Sequence, residues 1–247
     1  MAQQGQPRDG AALERRSFLK TLGAASGAAA LPIAGAAAQT GHAPMGMPMP
    51  APAGSSTPTY LFFNLDEAAF IEAAVDTLIP SDAVGPGALE SGVAVYIDRQ
   101  LAGAFGNGAR LYMQGPFAEG TPQQGYQFPL LPAELVRVGI ADTEAWCQSS
   151  RKKSLAGLAP ADRAAVMTEL ETGKASFAAV PAPAFFGMLL QLTMEGYFAD
   201  PAYGGNKDKA VWKMLGFPGV GGMYSEDIET FRNKPYPHQP KSLKDFA

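Results

Sequence analysis

Beyond residue 60 the apolar positions recur at helical spacing. Phe70, Ile71, Ala74, Val75 and Leu78 fall on one stripe, preceded by Asn64 with Glu67 three residues on and Asp66 in the first turn, and followed by Pro80. A capping residue, early carboxylates and a closing proline predict a helix over 66–79. After the turn-rich stretch 81–87, with Gly85-Pro86-Gly87, the residues Val93, Ile97 and Leu101 resume the stripe and predict a second helix over 88–102. Pro132 suits a first helical position and opens a third over 132–158; Pro160 opens a fourth that closes at Gly173. The run PAFFGMLLQLTMEGYF, 183–198, is apolar nearly all round, which predicts a helix at the centre of the bundle. Alternating apolar and polar runs bounded by turn signals are missing, so the expectation is an all-α, single helical domain over 60–247.

Between the second and third helices lies FGNGARLYMQGPFAEGTPQQGYQFPLL, 105–131, poor in helix formers and rich in Gly, Pro and aromatics. Loops longer than roughly 15 residues in a compact domain tend to be functional or disordered, and the aromatic content here argues for an ordered excursion against a surface. A second aromatic, turn-rich segment spans 195–217. Tyr112, Phe117, Tyr126, Phe128, Tyr197, Tyr203, Trp212 and Phe217 are therefore the candidate partner-interface residues, Trp212 like Trp146 reading first as core and second as an interface anchor. The tail, FRNKPYPHQPKSLKDFA, carries Pro235, Pro237 and Pro240 and reads either as an arm extended over a neighbour or as a frayed end.

The N-terminus carries an address. Arg15 and Arg16, followed by Phe18, Leu19 and Lys20, precede an uncharged run from Thr21 to Ala38 that ends in Ala36-Ala37-Ala38. This matches a twin-arginine export signal cut after Ala38, with Ala36 and Ala38 as the small residues of the cleavage site. A membrane span needs roughly 20 predominantly apolar residues, whereas this run holds only Leu22, Leu31 and Ile33 as large apolar side chains and is interrupted by Pro32. The expectation is a periplasmic protein with a signal over 1–38. Residues 39–59, rich in Pro, Gly, Ala and Met, read as a flexible linker, and Met45, Met47 and Met49 as part of its low-complexity composition rather than a copper-binding thioether set.

Composition narrows the chemistry. The chain has 19 Lys plus Arg against 23 Asp plus Glu, and loss of Arg8, Arg15, Arg16 and Lys20 with Asp9 and Glu14 would leave it more acidic still. Nucleic acid, which calls for a basic patch, is not favoured. Cys147 is the single cysteine, so no disulfide forms within the chain and no iron–sulfur cluster can be held by its own thiolates; it reads as a core residue or as half of a disulfide with a partner. His42 and His238 lie far apart, which disfavours a zinc or copper site. Gly103, Gly106 and Gly108 have the wrong order for a dinucleotide fingerprint. The Arg151-Lys152-Lys153 run suits a solvated helix end. Glu195, Asp200 and Asp208, with Asn206 nearby, are the candidates for acid–base chemistry or an oxygen-ligand metal site; ordinary turn chemistry accounts for them equally well. No catalytic, cofactor-binding or metal residue is assigned.

The blocks FFNLDEAAFIEAAVDTLIPSDAVGPGALESGVAVYIDRQLAG, RLYMQGPF, GTPQQGYQFPL and TMEGYFADPAYGGNKDKAVWKMLGFPG closely resemble subunit 3 of gluconate 2-dehydrogenase, from Tyr60 to about Lys241. The resemblance implies a complex with a large FAD-binding subunit of the glucose-methanol-choline oxidoreductase type and a cytochrome c subunit carrying haem at the membrane. The large subunit of such complexes typically lacks its own signal. This chain would then be a non-catalytic escort that supports the flavoprotein's folding and takes it through the twin-arginine translocase. The alternative is an independent periplasmic enzyme or metal-binding protein using the segment from Glu195 to Asp208.

Overall fold

The computed structural model describes residues 59–246 apart from 119, 222 and 223. The signal residues Arg15, Arg16, Phe18, Leu19, Ala36 and Ala38 and all but the last residue of the linker lie outside them. The described residues form helices α1 (Leu65–Leu78), α2 (Val93–Ala102), α3 (Pro132–Arg151), α4 (Pro160–Glu171), α5 (Ala182–Phe198), α6 (Ala210–Leu215) and α7 (Ser225–Thr230), with short 3-10 turns at 122–124, 201–203, 207–209 and 243–246. Among them no sheet forms; a single isolated bridge joins Gly219 to Lys241.

Local signals set most helix ends. Asn64 Oδ1 accepts from the Glu67 N–H at 2.9 Å and Glu67 Oε2 accepts from the Asn64 N–H at 3.0 Å, a reciprocal cap on α1. Prolines open α3 and α4 at their first positions, where a missing N–H costs nothing. Two boundaries differ from expectation. α2 begins at Val93, not 88, because residues 88–92 are a turn with Gly92 at φ +76°, a left-handed conformation that breaks the helix. α3 ends at Arg151, not 158, because Lys152 turns left-handed at φ 59°. Past that break Leu155 and Leu158 fold back into the core.

The core is one cluster centred on α5, which packs against α1, α2, α3, α4 and α6. Phe70 of α1 meets Phe185 of α5 with ring centroids 6.2 Å apart. Ile71, Val75, Ile97, Leu101, Leu135, Leu189 and Leu192 fill the space around them. Gly139 lets α3 approach that layer, since a Cβ there would stand 2.1 Å from a Phe185 ring carbon. Of the basic run Lys152 and Lys153 are exposed, but Arg151 is half-buried and pairs with Glu169 of α4 at 2.9 Å, and Glu169 also accepts from the Trp146 indole at 3.0 Å. Cys147 is fully buried, and burial pushes its thiol up to about 11, so it is a small core residue and the folded chain offers no thiol to a partner.

The chain enters the domain through residues 60–63, held by the buried Asp98 of α2. Its carboxylate accepts three backbone N–H bonds, from Leu61 at 2.7 Å, Phe62 at 2.8 Å and Phe63 at 3.0 Å. Arg137 of α3 lies over the Phe62 ring at 4.2 Å and donates to the Phe62 carbonyl.

Among the described residues the tail is anchored to its own domain. Val220 N–H donates to the Lys241 carbonyl at 2.7 Å, and Lys241 N–H to the Pro218 carbonyl at 3.1 Å. The tail thus folds back on its own domain, prolines notwithstanding, because they fall between these anchor points.

Candidate partner interface

The excursion 105–131 is irregular apart from the turn at 122–124, and its aromatics divide by role. Tyr126 and Phe128 contact each other at 5.6 Å and lie against the core. The Tyr126 hydroxyl donates to the Leu130 carbonyl, and burial together with the nearby Glu134 charge pushes its pKa up to about 12. Tyr112 is 81% exposed and Phe117 38%. Phe117 and Phe128 line a cavity of about 690 Å³ with Pro129 and Pro181, the last of these immediately preceding α5.

The second segment divides similarly. Tyr203 and Phe217 are about half exposed. Tyr197 is not a surface residue, contrary to expectation, and Trp212 is a core residue rather than an interface anchor. Tyr197 is buried with its hydroxyl donating to the Pro86 carbonyl at 2.7 Å, and Trp212 is buried with its indole donating to the Phe198 carbonyl at 2.9 Å. An amphipathic aromatic whose polar tip is satisfied internally has no group left over for a partner. Trp212 instead supports Phe217, at 5.2 Å between centroids. Sequence reasoning missed Leu190, Met194, Phe198, Met214 and Leu215, all between 36 and 56% exposed. The first three read as core because α5 has almost no polar stripe to mark an outer face.

The three carboxylates offered for catalysis or metal binding go separate ways. Glu195 accepts from Gln191 at 2.8 Å and from the Tyr96 hydroxyl at 3.4 Å, and burial plus that charge pushes Tyr96 up to about 12. Asp208 lines a cavity of about 490 Å³ with Arg99, Lys207, Lys209 and Lys244. Asp200 is buried and tied to the tail, accepting from Ala202 N–H at 2.8 Å, Ser242 Oγ at 2.7 Å and Leu243 N–H at 2.9 Å. Among the described residues no three His, Cys, Asp or Glu side chains converge as a metal site would require. Asn206, fully buried, braces this region by donating to the Ala199 carbonyl at 3.0 Å and accepting from Val211 N–H at 2.9 Å.

Burial raises the Asp200 carboxyl, and the bonds from Ala202, Ser242 and Leu243 more than offset it, leaving the group below the usual carboxylate range. A depressed folded pKa contributes stability that is fully present above the unfolded value and lost as pH falls through the folded one. Residues 242–246 should therefore loosen in acid, below the ordinary carboxylate range. Hydrogen exchange of that segment, corrected for intrinsic rates and compared with Asp200→Asn, checks this: the variant should be loose at neutral pH already, and equal protection of the two proteins at every pH would refute the assignment.

Fold and surface together define an all-helical domain whose aromatic and aliphatic side chains stand open to solvent on the outer side of its central helix. The model of the gluconate 2-dehydrogenase subunit 3 family matches residues 65–219, and the chain belongs to that family. Neither a curated protein nor a solved structure matches it. The matched span runs from the first residue of α1 to the bridge residue Gly219, taking in α1 to α6 and the excursion.

Proposed function

We propose that this chain is the non-catalytic small subunit of a periplasmic, FAD-dependent dehydrogenase complex. Its helical domain holds the large flavoprotein subunit, and its Arg15-Arg16 signal carries both across the inner membrane by the twin-arginine pathway. The observation that carries the reading is membership in a family defined as a dehydrogenase subunit, across most of the folded domain. Two features support it. Glu195 and Asp200 are each bonded to different partners within the chain, and Asp208 lines a cavity among lysines, which argues against a shared acid–base pair. The twin-arginine route takes folded cargo, which suits a flavoprotein that has received its cofactor in the cytoplasm. FAD then belongs to the large subunit and haem c to a cytochrome subunit that anchors the complex.

The test is co-expression of this chain with the large subunit and measurement of dye-linked dehydrogenase activity in each compartment. Replacing Arg15 and Arg16 by lysine should move the activity from periplasm to cytoplasm, leaving the periplasm at background. Periplasmic activity equal to wild type under those conditions would overturn the escort role. Substrate turnover by the purified small subunit alone would favour the independent-enzyme alternative.

A further inference from the structure

We propose that the outward stripe of α5, continued by residues 214–217, is the surface on which this chain seats the catalytic subunit of its complex; this rests on the small-subunit reading above. Pro183, Gly187, Leu190, Met194 and Phe198 succeed one another at three- and four-residue spacing, and all are exposed. They form one apolar track about 22 Å long, at 1.5 Å rise per residue. The opposite side of α5, with Phe185, Phe186, Leu189, Leu192 and Tyr197, already fills the core. Nothing inside the domain requires apolar residues on the outer side as well. α4 shows the ordinary solution: its buried side carries Val166, Met167 and Leu170, while Asp162, Thr168 and Glu171 face water.

The track is continuous with both expected contact segments. Just before its start, Pro181, two residues ahead of Pro183, lines the 690 Å³ cavity with Phe117, Phe128 and Pro129. At its end, the Phe198 carbonyl receives the Trp212 indole, whose ring supports Phe217. Met214, on the last turn of α6, lies against the Gly85 loop, since a Cβ on Gly85 would be 2.1 Å from its sulfur. Met194 and Met214 suit such a surface, being unbranched and adaptable to a facing contour.

The chemistry of the rim selects the occupant. Along α5 the only charge is Glu195, tied to Gln191 beside the track. A bilayer surface with anionic headgroups calls for a lysine- and arginine-rich border, whereas this border holds one carboxylate, Glu195, and one lysine, Lys213 beside Met214, on a chain of net charge −4. An apolar centre with a hydrogen-bonded polar edge is the anatomy of a protein interface. Family membership names that protein as another subunit of the dehydrogenase. The facing surface would be an apolar groove with a cationic residue placed to meet Glu195.

The experiment uses the full chain co-expressed with the large flavoprotein subunit, with affinity measured on the purified proteins. Leu190→Glu and Met194→Glu should each weaken binding by roughly thirtyfold or more, as hot-spot losses do, whereas Thr168→Glu on the outer side of α4 should bind like wild type. Hydrogen exchange of the wild-type pair covers the case in which a variant misfolds: residues 183–198 and 212–217 should gain protection on binding. Wild-type affinity in both α5 variants, or no added protection in those segments, would overturn the surface assignment while leaving the small-subunit reading intact. No binding by the wild-type chain would overturn that reading itself. Self-association of the chain that Leu190→Glu abolishes while large-subunit affinity stays unchanged, or tight wild-type binding to phosphatidylglycerol vesicles lost in the same variants, would reassign the stripe to a second copy or to the membrane, and so also overturn the proposal.

Discussion

Replacing Asp98 by alanine should destabilise the domain by about 3–5 kcal/mol, a loss on the scale of breaking a buried charged interaction. Asp98 is 1% exposed and is the acceptor for three consecutive backbone N–H groups. Alanine leaves those donors facing a void, and Phe63 is itself buried, so water cannot restore its bond without opening the entry strap. Asp98→Asn should fall between alanine and wild type. It keeps one oxygen acceptor and turns an NH₂ toward N–H groups that need an acceptor. Denaturant unfolding checks both variants, and exchange at 61–63 reports the strap directly. A change within about 0.5 kcal/mol for the alanine variant, the range of an ordinary surface substitution, would show that the strap contributes little.

Phe185→Ala should cost a similar amount, about 3–5 kcal/mol, because it removes a fully buried ring and leaves a cavity where α1, α3 and α5 meet. Its partner position gives the sharper test. Gly139→Ala alone should destabilise by overpacking, about 1–3 kcal/mol, because the new methyl would occupy the place of the ring. In the double variant that clash has nothing to act on and the methyl fills part of the cavity. The two substitutions should therefore be strongly non-additive, the double variant being no less stable than Phe185→Ala by itself. Additive losses would mean that the α3–α5 contact relaxes without regard to the Gly139–Phe185 pair.

Asp98 and Phe185 also mark the difference between what was readable along the chain and what was not. Phe185 sits in a run apolar enough to be assigned to the core from its pattern alone. Asp98 sits between Ile97 and Arg99 on an amphipathic helix, where a carboxylate reads as solvent-facing. Its burial depends on residues 60–63, some thirty-five positions earlier, supplying the three donors that make a buried carboxylate tolerable. Tyr197 and Trp212 show the converse. Each lies in a segment that looked like surface, and each is drawn inside by one carbonyl, of Pro86 and of Phe198. The resemblance to subunit 3, by contrast, was legible before any geometry, because it rests on residue blocks spread along the chain, and the family model matches residues 65–219.

By itself the chain determined that the domain is helical, where α1, α3 and α4 begin, and which central helix the rest would pack around. These are short-range matters: a cap bonds three residues away, proline fixes its own φ, and a 3.6-residue apolar period is visible in any window of a few turns. Tertiary structure alone decided that α5 has an outer side, that the tail is clasped by Asp200, and that Asp98 is buried. Each of those depends on which neighbours cover a given face, and a helix with apolar residues all round carries no record of where its neighbours stop.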